Sequence, residues 1–304
     1  MSKYRLFRFA FWMGPRVPRP LALALAVIAG NLLWCCAPAM RGRVRTSLAH
    51  IPTLAANPQR LSRVVRQAFV HLVLNYVDLF APVRLTPETV LAYFDVPNPH
   101  MIQEIIDRGK GLILVTHHHS AFEWAKHGFR QFATGPIIVP SEELQPAKLY
   151  DLVRHERGTC GFDFLPVSQS ETLRDMLATL RKGGTILLAM DRDIMQSGVT
   201  MPLFNGCAHI PTGAIALARR TGAPILWVSA ERETLNHCRA EIMLLDVPIS
   251  TATRDDAAMR TALTPIVAQM ERMILRHPEQ WLAAFADDVW GEDESFMAIH
   301  SSHM

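Results

Sequence analysis

At 304 residues, 49% hydrophobic and 19% charged, the chain is too apolar for a disordered polymer and too charged for a uniform bundle of membrane spans. The formal net charge of +3 hides an asymmetry: no acidic residue precedes Asp78, whereas 11 of the 31 lysines and arginines do. A basic front end on an acidic body predicts an anionic partner surface at one end, nucleic acid or lipid.

Hydropathy chooses between the two. Residues 4–20, YRLFRFAFWMGPRVPRP, interleave Phe7, Phe9, Phe11 and Trp12 with arginines, a mixture suited to lipid headgroups. Residues 21–39, LALALAVIAGNLLWCCAPA, are almost wholly apolar and near the minimum length for a bilayer core, with Arg16 and Arg19 before them and Arg41, Arg43 and Arg45 after. Membrane lipid is therefore the expected partner and nucleic acid is not. A cleaved signal peptide ending at APA is the competing reading, and the strongly basic flank beyond it argues for a retained anchor. Charges on both sides leave spanning and interfacial placement open. The five cysteines, Cys35, Cys36, Cys160, Cys207 and Cys238, show no metal-type spacing and are expected as buried free thiols.

Beyond residue 50 the pattern changes. Residues 57–80 repeat apolar positions at helical spacing, with Asn57 as N-cap and Pro58 in the first turn. From about residue 100, short apolar strands alternate with helices. A helix at 101–111 leads to strand 112–116, and a helix from 121 to strand 136–140. Helix 145–158 leads to strand 162–167, and a helix from 168, with a Ser168/Glu171 capping box, to strand 185–190. A loop at 191–213, a helix, strands at 224–230 and about 238–247, and a final helix at 255–278 complete the chain. The alternation predicts an α/β fold, a mostly parallel central sheet flanked by helices, behind an N-terminal membrane-associated helical segment. The expected division is an anchor at 1–50 and one α/β domain at 51–304.

Sites in such sheets gather at the carboxyl ends of strands. Three strands end in ionisable groups: His117, His118 and His119; Ser141, Glu142 and Glu143; Asp191, Arg192 and Asp193. A metal-dependent hydrolase built on His117 and His119 is one reading, weakened because no second ligand group follows at metal spacing. A proton-transfer pair is better specified. His118 and Glu123 are five positions apart, roughly 140° on one helix, so they meet only if His118 lies in the turn and Glu123 in the first helical turn. A carboxylate there fixes the imidazole tautomer and lets the other nitrogen take a proton from a hydroxyl.

The blocks around these residues resemble the lipid A biosynthesis acyltransferase-like family of the glycerolipid acyltransferase superfamily, nearest its phosphatidylinositol mannoside acyltransferase branch. HHSAFE at 118–123 looks like the family's His-x4-Glu/Asp motif. SEELQPAKLYDLVRHERG, the stretch from LRKGG to GAPIL with its Asp191-Arg192-Asp193 run, and HPEQW at 277–281 follow in the family's order. The Phe204-Asn205-Gly206 loop departs from the family's Phe-Gly, and a third histidine follows the dyad histidine. The resemblance implies a membrane-associated O-acyltransferase at the cytoplasmic face of the cell inner membrane. Its acyl donor would be acyl-CoA or acyl-carrier protein, with no other cofactor and no metal, and its acceptor a glycolipid or phospholipid hydroxyl. It implies His118 as general base, Glu123 as its partner and Glu142 as an assisting glutamate. Arg154, Asp191, Arg192, Asp193 and Gly206 would surround the substrate, with Arg154 or Arg192 at the oxyanion. A non-catalytic lipid-binding protein on the same scaffold is the remaining alternative.

Overall fold

The computed structural model describes residues 2–80, 93–133, 135–159, 161–249 and 255–291. Five helices come first: α1 (Lys3–Met13), α2 (Arg19–Cys36), α3 (Pro38–Leu48), α4 (Pro52–Ala55) and α5 (Pro58–Phe80). Prolines open α2 to α5, where the missing N–H is not needed. Pro38 also ends the apolar run. The residue before a proline is pushed out of the helical region, and Ala37 (φ −116°, ψ 67°) breaks residues 21–39 into α2 and the start of α3. Asn57 caps α5 as expected, its side chain accepting from the Arg60 N–H at 2.9 Å.

The helix α2 lies along α5. Leu23 and Ala26 are buried with Leu74, among Val70, Val73 and Val77. Gly30 is the closest approach: a Cβ there would come within 2.5 Å of the Val70 Cα and 2.9 Å of the Phe69 carbonyl oxygen. The opposite face of α2 (Leu21, Leu25, Ile28, Leu32) is exposed, as are Leu6, Phe9 and Trp12 of α1. The next helix, α3, sends Val44 and Leu48 into the main core. Cys35 and Cys36 are exposed, which corrects the expectation of burial. Cys207 and Cys238 are buried, and Cys160 lies outside the described residues.

The α/β body follows the expected alternation: β1 (Phe94–Asp95), α6 (Pro99–Asp107), β2 (Leu112–Thr116), α7 (Phe122–Arg130), β3 (Ile137–Ser141), α8 (Ala147–Gly158), β4 (Phe162–Pro166), α9 (Ser170–Arg181), β5 (Thr185–Ala189), the hairpin β6 (Val199–Leu203) and β7 (Gly206–Ile210), α10 (Gly213–Thr221), β8 (Ile225–Thr234), β9 (His237–Leu244) and α11 (Asp256–Arg276). The main sheet runs β1-β9-β8-β2-β5-β3-β4, and only β8 and β9 pair antiparallel. The central strands are covered on both faces. Ile113 and Val115 of β2 enter one core with Phe69, Trp227 and Met270, while Leu112 and Leu114 enter the other with Ile102, Phe129 and Ile137. This is the period of two that makes a buried parallel strand read as an unbroken apolar run.

Two local expectations change. The loop at 191–213 contains the β6–β7 hairpin, whose turn places Phe204 at φ 52°. The Ser168/Glu171 capping box does not form: α9 starts at Ser170, and the Ser168 hydroxyl donates to Glu143 instead.

Gly30 at the α2–α5 contact and Gly42 in α3 carry opposite predictions. Gly30→Ala forces backbone apart and should destabilise the chain by about 1–3 kcal/mol. Gly42→Ala, where a Cβ meets nothing within 4 Å, should stabilise it by roughly 0.5–1 kcal/mol through helix propensity. Chemical denaturation of the two variants reads both signs.

Candidate active site

The parallel pairing of β2 with β5 matches Leu112 to Thr185 and runs in step to Thr116 opposite Ala189. The Met190 N–H still donates to the Thr116 carbonyl at 2.8 Å. Two residues further on, the same register sets His118 opposite Asp191. Side chains two apart on an extended chain share a face, so the pairing delivers the imidazole and the carboxylate to one place. His118 Nδ1 lies 2.7 Å from Asp191 Oδ1, and the His118 backbone N–H donates to Asp191 Oδ2 at 2.9 Å. An ionised carboxylate only accepts, so the hydrogen sits on Nδ1 and the Nε2 lone pair is left for a substrate proton.

The carboxylate is fixed on a second side. Trp281, wholly buried, donates its indole N–H to Asp191 Oδ2 at 3.0 Å. Burial alone would push Asp191 up, but the adjacent His118 ring and its hydrogen bonds outweigh it and hold the carboxyl well below the usual carboxylate range. The segment carrying Trp281 is stitched to the histidine row like an extra antiparallel strand. Ser120 N–H donates to the Gln280 carbonyl at 2.9 Å, and Leu282 N–H to the His118 carbonyl at 2.7 Å. The buried Gln280 amide in turn bridges the N–H (2.9 Å) and carbonyl (3.0 Å) of Arg232 on β8. The imidazole is about a third exposed. It opens on a recess of about 560 Å3 that Arg192, Leu282, Phe285 and Asp288 also line.

Glu123 stands elsewhere. It does occupy the first turn of α7, but it is buried, and its carboxylate meets Arg157 of α8 (Nε at 3.0 Å) and Lys126 one turn on. Burial pushes it up, yet these two cations bring it down to about 2. The partner on His118 Nδ1 is thus Asp191 and not the expected Glu123. The reason lies in the backbone: Ser120 and Ala121 turn the chain between the strand end and α7, so Glu123 starts a helix that faces α8. Glu142 is exposed and reaches Arg192 at 3.3 Å, and Arg192 also holds Asp288 with two bonds of 2.8 Å. Arg154 pairs with Asp163 at 3.2 Å and lines a separate recess of α8 and β4. Asp193 accepts the Gly198 N–H at 2.6 Å, organising its loop. Gly206 packs at the β6–β7 turn, where a Cβ would strike His50 and Trp290. Of the expected set, the structure brings together His118, Asp191 and Arg192, with Glu142 joined through Arg192. Trp281 and Gln280 escaped sequence reasoning, and the signal that marked them was the HPEQW block in which they sit.

His117 and His119 are fully buried. His117 stacks on Trp227 at 5.4 Å, and His119 donates from Nδ1 to the Ala230 carbonyl at 2.6 Å. Among the described residues, the group of ligand atoms close enough to share one ion is Asp95, Glu233 and His237, which lies outside the histidine row.

Residues 7–283 match the model of a family described as bacterial lipid A biosynthesis acyltransferase. Among curated proteins the chain is similar to a phosphatidylinositol mannoside acyltransferase of Mycolicibacterium smegmatis, 27% identical over 193 residues, which is 62% of this chain and 60% of that protein. It is likewise similar to one of that name from Mycobacterium tuberculosis, 27% identical over 179 residues, 57% of this chain and 53% of that protein. The chain thus spans a little over half the length of these relatives.

Burial lowers His117 and the neighbouring His71 to about 4 and holds His119 well below its ordinary value. Their folded-state stability is fully present above about pH 6.5. As pH falls from there towards 4, the unfolded chain binds protons that the native state refuses, so stability falls by up to ~1.4 kcal/mol per pH unit for each such histidine. Denaturant midpoints across pH 7 to 5 should show this loss, and His117→Leu should lower its slope by one proton's share.

Proposed function

Because the chain is a member of the bacterial lipid A biosynthesis acyltransferase family, we propose that it moves a fatty acyl group from an acyl thioester, acyl-CoA or acyl-carrier protein, to a hydroxyl of a glycolipid or phospholipid. The observation that carries this reading is the buried Asp191 carboxylate on His118 Nδ1. In the proposed step His118 Nε2 takes the acceptor's hydroxyl proton while that oxygen attacks the thioester carbonyl. Asp191 keeps the tautomer and stabilises the imidazolium. The tetrahedral intermediate collapses with cleavage of the carbon–sulfur bond, and the imidazolium returns its proton to the leaving thiolate. Arg192, on the rim of the same recess, is the candidate to stabilise the oxyanion. No enzyme nucleophile is required, so alignment of the two substrates supplies much of the rate. The apolar seam lined by Leu114, Thr116, Phe122, Phe129, Leu187 and Ile242 is the candidate to take the acyl chain, and its free space of about 40 Å3 means that these side chains would have to part to admit it. The Phe122 ring meets His118 edge-on, 6.2 Å between centroids.

The same reading places the chain on a membrane. One face of α2 is committed to α5 and its other face is exposed, as are Leu6, Phe9 and Trp12 of α1, among the arginines of residues 5–19. That arrangement suits a helix lying in the lipid interface rather than crossing the bilayer. The cytoplasmic face of the inner membrane is the proposed location, where acyl thioesters are made.

His118→Ala should abolish transfer from a labelled acyl thioester with the fold intact, and Asp191→Asn should lower kcat by roughly a hundredfold or more through loss of the base's tautomer. Glu123→Gln should instead lower stability, since it breaks two buried ion pairs, and leave kcat of the folded fraction within about tenfold. Full turnover by folded His118→Ala would sink the mechanism, and no turnover by the unmodified chain would favour a lipid-binding protein. For the membrane, Leu25→Glu with Ile28→Glu should leave the chain at the bottom of a flotation gradient that carries the unmodified chain up with vesicles.

A further inference from the structure

A second recess of about 560 Å3 is bounded by α2, α5, the end of the β8–β9 hairpin and residues 277–280. Its aliphatic wall comes from Val27, Val70, Leu74 and Leu235. Its polar wall has an excess of donors. The acids that line it are engaged: Glu233 by His237 at 3.4 Å and Arg239 at 4.0 Å, and Glu279 by His277 at 3.3 Å. The arginines are less so. Arg66 spends Nε on Asn31 of α2 at 2.5 Å and lies 5.6 Å from the centre of the Trp34 ring, and it has no ion pair among the described residues. Arg63, one turn earlier on the same face of α5, has no ion pair among the described residues. Arg232, 4% exposed, also lines the recess. It pairs with Asp78, and its Nε has no protein partner. A buried guanidinium N–H without an acceptor marks a place where one is expected.

The recess also has a defined neighbour. Val27 and Asn31 of α2 face it, and Ile28 and Leu32, one position further round the helix, belong to the exposed apolar face. Planar guanidiniums beside an aliphatic wall match a phosphate ester carried on a hydrophobic body. We propose that this recess binds the phosphate of an anionic membrane phospholipid, held by Arg63 and Arg66 as a docking ligand separate from the lipid that reacts at His118. The choice of a lipid over the phosphates of the thioester donor rests on the membrane placement proposed above.

A soluble short-chain lipid tests the site without a membrane. Dihexanoyl phosphatidylglycerol titrated into the full chain by calorimetry should bind one lipid per chain. Arg63→Gln with Arg66→Gln should weaken it by roughly thirtyfold, taking about 1 kcal/mol for each arginine. Arg174→Gln with Arg181→Gln, two exposed charges on α9, should leave it unchanged. Equal weakening in both pairs, or no saturable binding, overturns the proposal. Dihexanoyl phosphatidylcholine binding as tightly overturns the anionic preference. Coenzyme A displacing the lipid from the recess reassigns the site to the donor. Vesicle flotation of the unmodified chain is read separately, so a failed membrane placement and an empty recess give different results.

Discussion

Everything at the site depends on one register. The offset between β2 and β5 holds over five residue pairs and continues past the last of them to His118 and Asp191. A slip of one residue between the two strands would leave His118 and Asp191 pointing to opposite faces. The apolar alternation prevents it, since Ile113 and Val115 must face one core and Leu112 and Leu114 the other. The packing of the sheet and the placement of His118 against Asp191 are therefore one requirement, satisfied by ordinary hydrophobic burial.

The second constraint is polar satisfaction around the histidine row. A strand end left alone would expose the His118 carbonyl and the Ser120 N–H. Residues 280–282 take both, and Gln280 extends the same bonding to β8. His71 of α5 meets Ser120 at 3.0 Å. Asp191, residues 280–282, Ala230 of β8 and His71 thus converge from four distant parts of the chain on His118, His119 and Ser120, and the network is buried enough that its members depend on one another. Trp281 belongs to this network through its indole N–H, which gives a C-terminal aromatic a direct hold on the carboxylate beside the base.

Much of the fold was legible because its signals are local. The strand LILVT begins and ends where the apolar run does, and Asn57-Pro58 starts α5 as such pairs do. The β6–β7 hairpin carried a local signal too, the Asn205-Gly206 pair between stretches of alternating apolar residues, although the residue at positive φ is the preceding Phe204. At the site, His118 and the ionisable strand ends could be read directly. The pairing of His118 with Asp191 could not, because strand order is a long-range property: β2 and β5 are neighbours although two strands and three helices separate them in the chain. The five-residue spacing to Glu123 offered a closer candidate, and Arg157 and Lys126, which claim that carboxylate, come from helical geometry that spacing alone does not reveal.

The seating of α2 on α5 has a mechanical consequence. Gly30 brings the two backbones together, and α5 reaches the histidine row through His71 and Ser120. No flexible tether intervenes between the exposed apolar face of α2 and the imidazole of His118. The distance of His118 from that face is therefore set by rigid packing, like a depth stop on a drill. On the reading proposed above, such a fixed spacing would select acceptor hydroxyls by their depth before any contact with the acceptor's head.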